Sequence, residues 1–144
     1  MKRITDLLNV KGRSIWNVPP DATVYDAIEQ MAEKGVGALL VMEGERLVGI
    51  VSERDYARKV ILKGKMSRET LVHEIMSHPV ICAGQEMTVE QAMALMTEKR
   101  VRHLPVLFDD EVVGVISIGD VVRAIIDDKE FYIQQLTSYI TAGV

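Results

Sequence analysis

The 144-residue sequence has a single cysteine, few aromatic residues and no long apolar run. One cysteine, Cys82, excludes an internal disulfide, which fits a reducing compartment. No stretch approaches the roughly 20 apolar residues of a transmembrane helix, and Asp6 interrupts the region where a signal peptide needs an apolar run. With a net charge of -4 the chain lacks the dominant basic patch that nucleic-acid binding requires. We therefore expect a cytoplasmic protein whose partners include neither a membrane nor nucleic acid.

What the sequence does contain is an internal repeat, in a chain with enough hydrophobic residues (48%) for a packed core. Residues 21–56 align without a gap on residues 86–121, at a constant offset of 65. The identical pairs include Thr23/Thr88, Val24/Val89, Ala27/Ala92, Met31/Met96, Lys34/Lys99, Val36/Val101, Leu39/Leu104, Val41/Val106, Val48/Val113, Gly49/Gly114, Ser52/Ser117 and Asp55/Asp120. Agreement at apolar and turn positions together indicates two copies of one unit.

Each copy has the pattern β-α-β-β-α. The first helix begins at Thr23 or Thr88, each with capping-box spacing, and Gly35 suits the end of the first of these helices. The predicted strands are Ser14–Val18, Ala38–Met42 and Leu47–Val51 in the first copy, and Val80–Ala83, Leu104–Phe108 and Val112–Ile116 in the second. The second helices are predicted from Glu53 to about Leu62 and from Gly119 to about Asp127. A further helical segment from Lys129 is expected to cover either the same chain or a second subunit.

Each hairpin ends in Gly-h-h-Ser-x-x-Asp, where h is apolar, at Gly49–Asp55 and Gly114–Asp120. Together with the doubled unit and the run Arg102–Val106, this motif resembles the cystathionine-β-synthase (CBS) domain pair, or Bateman module, in its stand-alone bacterial form. The resemblance implies an α+β (α/β-like) fold with two repeats related by a pseudo-twofold axis. It implies one module over residues 1–144, with repeats at 10–64 and 71–127 and a C-terminal helical extension at 128–144.

The resemblance also implies a function. CBS pairs are sensors that bind adenosine-containing ligands such as AMP, ATP, NAD(H) or S-adenosylmethionine between the repeats, and they commonly form flat homodimers. The expected protein is therefore a regulatory module without a catalytic residue or catalytic cofactor. The alternative is an oligomerisation or partner-docking protein with a vestigial cleft, and a small nucleotide hydrolase is the weakest interpretation. The ligand, the regulated partner and the pathway are left open.

Ser117 and Asp120 are the central candidates for ligand binding. A carboxylate can accept hydrogen bonds from the 2′ and 3′ hydroxyls of a ribose, and a serine at a helix start suits a phosphate oxygen. The same Ser-x-x-Asp spacing is also an ordinary way to begin a helix. The two roles are compatible, and the residues alone do not separate them.

Arg102 and His103 offer a planar cation and a ring donor before the next strand. The first copy has Gly37 and Ala38 at these positions, so the copies are not equivalent, and the small residues would leave room for an adenine against Val36. By resemblance to the family, the arginine and histidine reach toward a ligand held by the opposite half. A solvated basic pair is the other interpretation.

The lead-in to the first copy holds three more residues than the lead-in to the second, around Lys11. We hypothesise that this basic loop accommodates a second phosphate, and a variable surface loop is the alternative. By resemblance, the complete main site comprises Lys11, Ser14, Ile15, Trp16, Val36, Gly37, Ala38, Arg102, His103, Ile116, Ser117, Gly119 and Asp120.

A mirror site would use the corresponding residues of the other copy, with Arg54 as its phosphate partner. Its members would be Ser52, Arg54, Asp55, Val80, Ile81 and Cys82. Pro79 and the shorter lead-in alter its entrance, so we expect one occupied site per chain, with the count left open. His73 and His78 have no third ligand that would make a metal site.

Overall fold

A computed structural model describes residues 2–142, which form two compact units. The split unit joins the N-terminal segment up to Arg13 to the chain from Cys82 onward, and the continuous unit is Ser14–Ile81. The α-helices are α1 (Ile4–Lys11), α2 (Val24–Lys34), α3 (Glu53–Lys59), α4 (Val89–Lys99) and α5 (Ile118–Ala142). The strands are β1 (Asn17–Val18), β2 (Ala38–Glu43), β3 (Arg46–Ser52), β4 (Ala83–Gly84), β5 (His103–Phe108) and β6 (Glu111–Ser117).

Each unit contains one three-stranded sheet of the same topology. In the continuous unit the order is β1-β2-β3, with β1 parallel to β2 and β2 antiparallel to β3. In the split unit the order is β4-β5-β6 with the same orientations. The predicted α+β fold of two β-α-β-β-α copies is confirmed.

The helix ends explain why the two copies fold alike. The hydroxyls of Thr23 and Thr88 accept hydrogen bonds from the N–H groups of Asp26 and Gln91, both at 3.1 Å, as N-caps. After α2 the chain turns at Gly35 with φ 66°, in the left-handed region that glycine adopts without strain. Arg100 holds the equivalent turn after α4 with φ 57°.

The lead-in segments place apolar side chains over a glycine in each hairpin. Leu8 of α1 lies over Gly114, so that a Cβ added there would be 2.7 Å from Leu8 Cδ2. In the continuous unit Met76 lies over Gly49, where an added Cβ would clash with the Met76 sulfur. A side chain at either glycine would displace the lead-in, which explains the repeated glycine.

The buried cores follow the predicted apolar faces. The continuous unit buries Val18, Val24, Ala27, Met31, Leu39, Val41, Val51, Val60, Val72 and Ile75 in one cluster. The buried apolar residues of the split unit are Ile4, Leu7, Leu8, Ala83, Val89, Ala92, Met96, Leu104, Val106, Ile116, Val121 and Ala124.

Four element boundaries differ from the prediction by three residues or more. The helix predicted from Glu53 to about Leu62 is α3, which ends at Lys59. The strand predicted over Ser14–Val18 is only β1, because pairing with β2 covers Asn17 and Val18 alone. The strand predicted over Val80–Ala83 is β4, which begins at Ala83. The two helices predicted on either side of residue 128 are the single helix α5, because no glycine or proline interrupts it there.

Candidate functional site

Asp120 lies in the first turn of α5, directly after the end of β6. Its Oδ2 accepts the Ser117 N–H at 2.8 Å, and the Asp120 N–H donates to Ser117 Oγ at 3.2 Å. This reciprocal arrangement is the helix start expected of Ser-x-x-Asp. The side chain of Asp120 is only 8% exposed, so its negative charge requires compensation within the protein.

Two cations supply that compensation. Lys11 Nζ, at the end of α1, lies 2.5 Å from Asp120 Oδ2 and donates to the Val115 carbonyl at 2.7 Å. Arg123, one turn further along α5, donates from Nη2 to Asp120 Oδ1 at 2.7 Å. Both carboxylate oxygens are therefore engaged by groups of the protein itself.

The pKa of Asp120 reflects this competition. Burial alone would raise the pKa of the carboxyl, but hydrogen bonds from Lys11 and Ser117, together with the Lys11 charge, hold it below its usual value. Burial and the charge of Lys11 lower the pKa of His103. The negative charge of Asp120 partly opposes this lowering, and the charge of Arg102 adds to it. The site therefore holds an ionised aspartate beside a histidine that favours its neutral form.

Strand pairing brings His103 and Arg102 to the same end of the split unit. His103 is the cross-strand partner of Ser117 in the β5–β6 pair. The Arg102 carbonyl accepts the Ile118 N–H at 2.9 Å, which ties the strand entrance to the helix start, while the Arg102 residue is exposed. Lys11, Arg102, His103, Ser117 and Asp120 thus form one group, which we call the Asp120 cluster.

Two other predicted residues of the main site flank this cluster. Gly119 is half-buried, and a Cβ there would make only ordinary contacts with Arg123 and Ser117 at 3.5 and 3.6 Å. Ile116, predicted as an apolar wall, is fully buried. It presents no surface to a ligand in this structure.

The rest of the predicted main site lies in the continuous unit. Its members are Ser14, Ile15, Trp16, Val36, Gly37 and Ala38. Lys34 Nζ lies 4.5 Å from the centre of the Trp16 ring, a cation–π contact, and Val36 packs beside the core. Gly37 repeats the role of Arg102, since its carbonyl accepts the Glu53 N–H at 3.0 Å. That these residues share a ligand with the Asp120 cluster stays a prediction.

The predicted mirror site is centred on Asp55, which is less enclosed than Asp120. Asp55 Oδ2 accepts the Ser52 N–H at 3.0 Å, and Lys59 Nζ lies 3.1 Å from Oδ1, with 14% of the Asp55 side chain exposed. Arg54 is exposed, and Val80 and Ile81 are half-buried in the same unit. Cys82 is half-buried and is the first residue of the second segment of the split unit. Burial raises the pKa of its thiol.

Sequence reasoning missed Arg123 and Lys59 as carboxylate partners. Both lie three or four residues after the aspartate on the same helix, the spacing at which opposite charges meet. That spacing was the available signal. The sequence predicts Lys11 as a contact of a ligand phosphate, whereas the structure pairs it with Asp120.

Within residues 2–142 the structure contains no group of three His, Cys, Asp or Glu residues that could hold a metal ion. Among the described residues, every helix is too short or too polar to span a lipid bilayer.

Comparison with known proteins gives consistent matches to one family. A sequence model described as the CBS domain matches residues 10–62 and 72–127. A mitochondrial CBS domain-containing protein of Arabidopsis thaliana is 42% identical over 150 residues, covering 97% of this chain and 72% of the relative. A solved structure of a protein with CBS domains from Burkholderia ambifaria MC40-6 is 48% identical, with a TM-score of 0.85, covering 88% of this chain and 96% of that one.

One further structural neighbour contains ligands. It is a CBS domain pair in complex with 5′-methylthioadenosine and S-adenosyl-L-methionine, with a TM-score of 0.79, covering 89% of this chain and 98% of that one. At 22% identity this likeness shows the fold alone.

Proposed function

The chain belongs to the CBS domain family, and from that premise we propose that it is a regulatory sensor of an adenosine-containing nucleotide, without catalytic chemistry. The observation that supports this proposal is the buried Asp120 carboxylate, which is held at a helix start by two cations, Lys11 and Arg123. Such a carboxylate can receive the two hydroxyls of a ribose. The adenosyl ligands of the fold neighbour agree with this class.

The number of hydrogen bonds that the Asp120 carboxylate can accept determines which groups must move when a ligand binds. An ionised carboxylate offers about four acceptor positions. Three are used by Ser117, Lys11 and Arg123. A ribose diol needs two, so at least one cation must leave Asp120 when the sugar binds. Lys11 and Arg123 are the mobile candidates, because 37% and 71% of their side chains are exposed.

The displaced cation determines the preferred charge of the ligand. Lys11 and Arg123 pair with the single Asp120 carboxylate, and the charge of Arg102 acts on the neighbouring His103, so the site has a surplus of positive charge. A lysine released from a buried aspartate loses less energy if it meets a phosphate. We therefore expect AMP, ATP or NAD to bind more tightly than uncharged adenosine. Ser117 Oγ and the neutral His103 ring would be further phosphate or ribose contacts.

The proposal retains the family-derived adenine contacts of the continuous unit, including Gly37 and Ala38, and one ligand per chain. Binding would act through its differential affinity for two arrangements of a homodimer. A cytoplasmic location belongs to the same proposal, although the Arabidopsis relative is mitochondrial.

The test measures ligand-induced thermal stabilisation, followed by isothermal titration. At 100 times its dissociation constant a ligand stabilises by about 2.7 kcal/mol, a melting shift of about 8–10 °C for a chain of this size. We expect such a shift with AMP, ATP or NAD, its loss in Asp120→Asn, and its persistence in the matched variant Asp55→Asn. If none of the three nucleotides stabilises the protein, or both variants respond like the unmodified chain, the proposal is wrong.

Lys11 provides a sharper test of the charge argument. Lys11→Met should weaken AMP binding about tenfold or more and leave adenosine binding unchanged or stronger, because the ribose no longer competes with the ammonium. Equal losses for AMP and adenosine would contradict the displacement mechanism. Mass spectrometry of a co-purifying small molecule would identify the ligand.

A further inference from the structure

The C-terminal half of α5 carries an apolar surface that the described chain does not cover. Every side chain described from Phe131 to Thr141 is exposed. The exposed large apolar residues of α5 are Ile126, Phe131, Tyr132, Ile133, Leu136, Tyr139 and Ile140. Isolated helices shorter than about 12–15 residues are marginal in water, and this segment lacks the alanine and ion pairs that would help it. A packing partner would stabilise it.

The spacing of these residues specifies a helical partner. Ile126, Ile133 and Ile140 recur every seven residues, and Leu136 follows Ile133 by three. This is the a/d pattern of a coiled coil, in which a second helix covers the apolar face. Tyr132 and Tyr139 precede the a positions and widen the same face. Phe131 lies outside the face and contacts Tyr132 edge-on at 5.9 Å.

Charge determines the orientation of that partner. The segment 127–130 is Asp-Asp-Lys-Glu, whereas residues 131–142 contain no charged residue. Two parallel copies would place Lys129 against Lys129 at a d position, which brings two like charges together in the apolar seam. Antiparallel copies instead place each charged segment against the uncharged end of the other helix.

We infer that α5 pairs antiparallel with α5 of a second copy of this chain, centred between Gln134 and Gln135. In this register Ile133 faces Leu136 of the second copy, and Ile140 faces the aliphatic stem of Lys129. Five apolar side chains at about 100 Å² each give about 1,000 Å² over both copies, the lower bound of a specific interface. This inference does not depend on nucleotide binding.

The experiment measures assembly mass by light scattering, and dissociation constants by sedimentation, on the ligand-free full chain. We expect at least twice the chain mass of 16.1 kDa, halved in Ile133→Glu. This variant puts a carboxylate into two apolar layers and should raise the dissociation constant by about 100-fold or more. The control Gln134→Glu adds the same charge on the opposite side of the helix and should change nothing. Circular dichroism and thermal melting verify that both variants remain folded.

A second pair of variants tests the orientation. In the antiparallel pair the carboxylate of Ile140→Glu meets Lys129 of the other copy, so the dissociation constant should rise by about tenfold or less. The double variant Lys129→Glu/Ile140→Glu places two carboxylates together and should raise it by about 100-fold. In a parallel pair Ile140→Glu alone would meet itself and be as disruptive as Ile133→Glu.

Three results would overturn the inference. They are a monomeric unmodified chain at tens of micromolar, an assembly mass that Ile133→Glu does not change, and equal disruption by Ile133→Glu and Ile140→Glu. A monomer that co-sediments with phosphatidylcholine–phosphatidylglycerol vesicles, and loses that binding in Ile133→Glu, would assign the same face to a lipid surface instead.

Discussion

Lys11 and Asp120 lie 109 residues apart in sequence, and their ion pair connects α1 to the start of α5. Two substitutions isolate it. Lys11→Met keeps an unbranched apolar side chain and removes the ammonium, and Asp120→Asn keeps the shape of the carboxylate and removes its charge. Each substitution should lower the free energy of unfolding of the protein without ligand. The double variant should lose less free energy than the two single variants added together, because the second substitution no longer breaks an ion pair.

The structure sets the magnitude. Asp120 is nearly buried, and its Oδ2 lies 2.5 Å from Lys11 Nζ. Hydrogen bonds to charged groups typically stabilise a protein by about 1.5–3 kcal/mol. Since 37% of the Lys11 side chain is exposed, solvent screening reduces this, and we expect a coupling of about 1–1.5 kcal/mol. Lys59 and Asp55 form the matched pair in the other copy, at 3.1 Å with 44% and 14% exposure. As an i,i+4 helix pair, it should give only about 0.3–0.5 kcal/mol.

The assay is urea denaturation of both double-mutant cycles in the absence of ligand, with melting temperatures as a second readout. Lys11→Met should lower the melting temperature by about 3–5 °C. If the coupling of Lys11 with Asp120 is no larger than that of Lys59 with Asp55, then burial and distance do not determine the strength of the pair.

Three further predictions concern stability. Gly114→Ala should destabilise by about 1–3 kcal/mol, because its methyl would lie 2.7 Å from Leu8 Cδ2; an unchanged urea midpoint would contradict the packing of α1. Arg100→Gly should stabilise by about 0.5–1 kcal/mol, since φ is 57° there, and a lower midpoint would contradict this. Because burial lowers the pKa of His103, the unfolded chain binds more protons than the folded one just below pH 6.5, its approximate ordinary pKa, so stability rises with pH in that window. His103→Gln should flatten that slope in denaturation measured from about pH 5 to 7, and an unchanged slope would assign it to other groups.

The sequence predicts those parts of the fold that depend on local patterns. The caps at Thr23 and Thr88 and the hairpins follow from residues within a few positions of one another, and the structure contains them. The sequence analysis predicts one helix to about Asp127 and a further helical segment from Lys129, but residues 127–130 are all ones that a helix accepts, so α5 continues through them.

The candidate site could be predicted only in part. Ser117 and Asp120 are a local motif, and Arg123 follows at a spacing that was open to inspection. The contact of Lys11 with Asp120 depends on the chain returning from Cys82 to pack on α1, which no local pattern encodes. The requirement for glycine at position 114 is equally non-local, because the side chain that excludes a Cβ there belongs to Leu8, more than 100 residues away in sequence.

The two copies differ most in what satisfies one equivalent carbonyl. In the continuous unit the Ile50 carbonyl accepts the Ser77 N–H at 2.9 Å, and the Ile50 N–H donates back to Ser77 at 3.1 Å. At the same position of the second copy, the Val115 carbonyl accepts from Lys11 Nζ at 2.7 Å. A neutral backbone partner is thus replaced by an ammonium that also reaches Asp120, and the longer lead-in supplies it. The split unit thus pairs its carboxylate with a lysine from another helix, α1, whereas the continuous unit pairs its carboxylate with a lysine of the same helix, α3. We therefore expect the copies to differ in affinity for anions even though their backbones follow the same path.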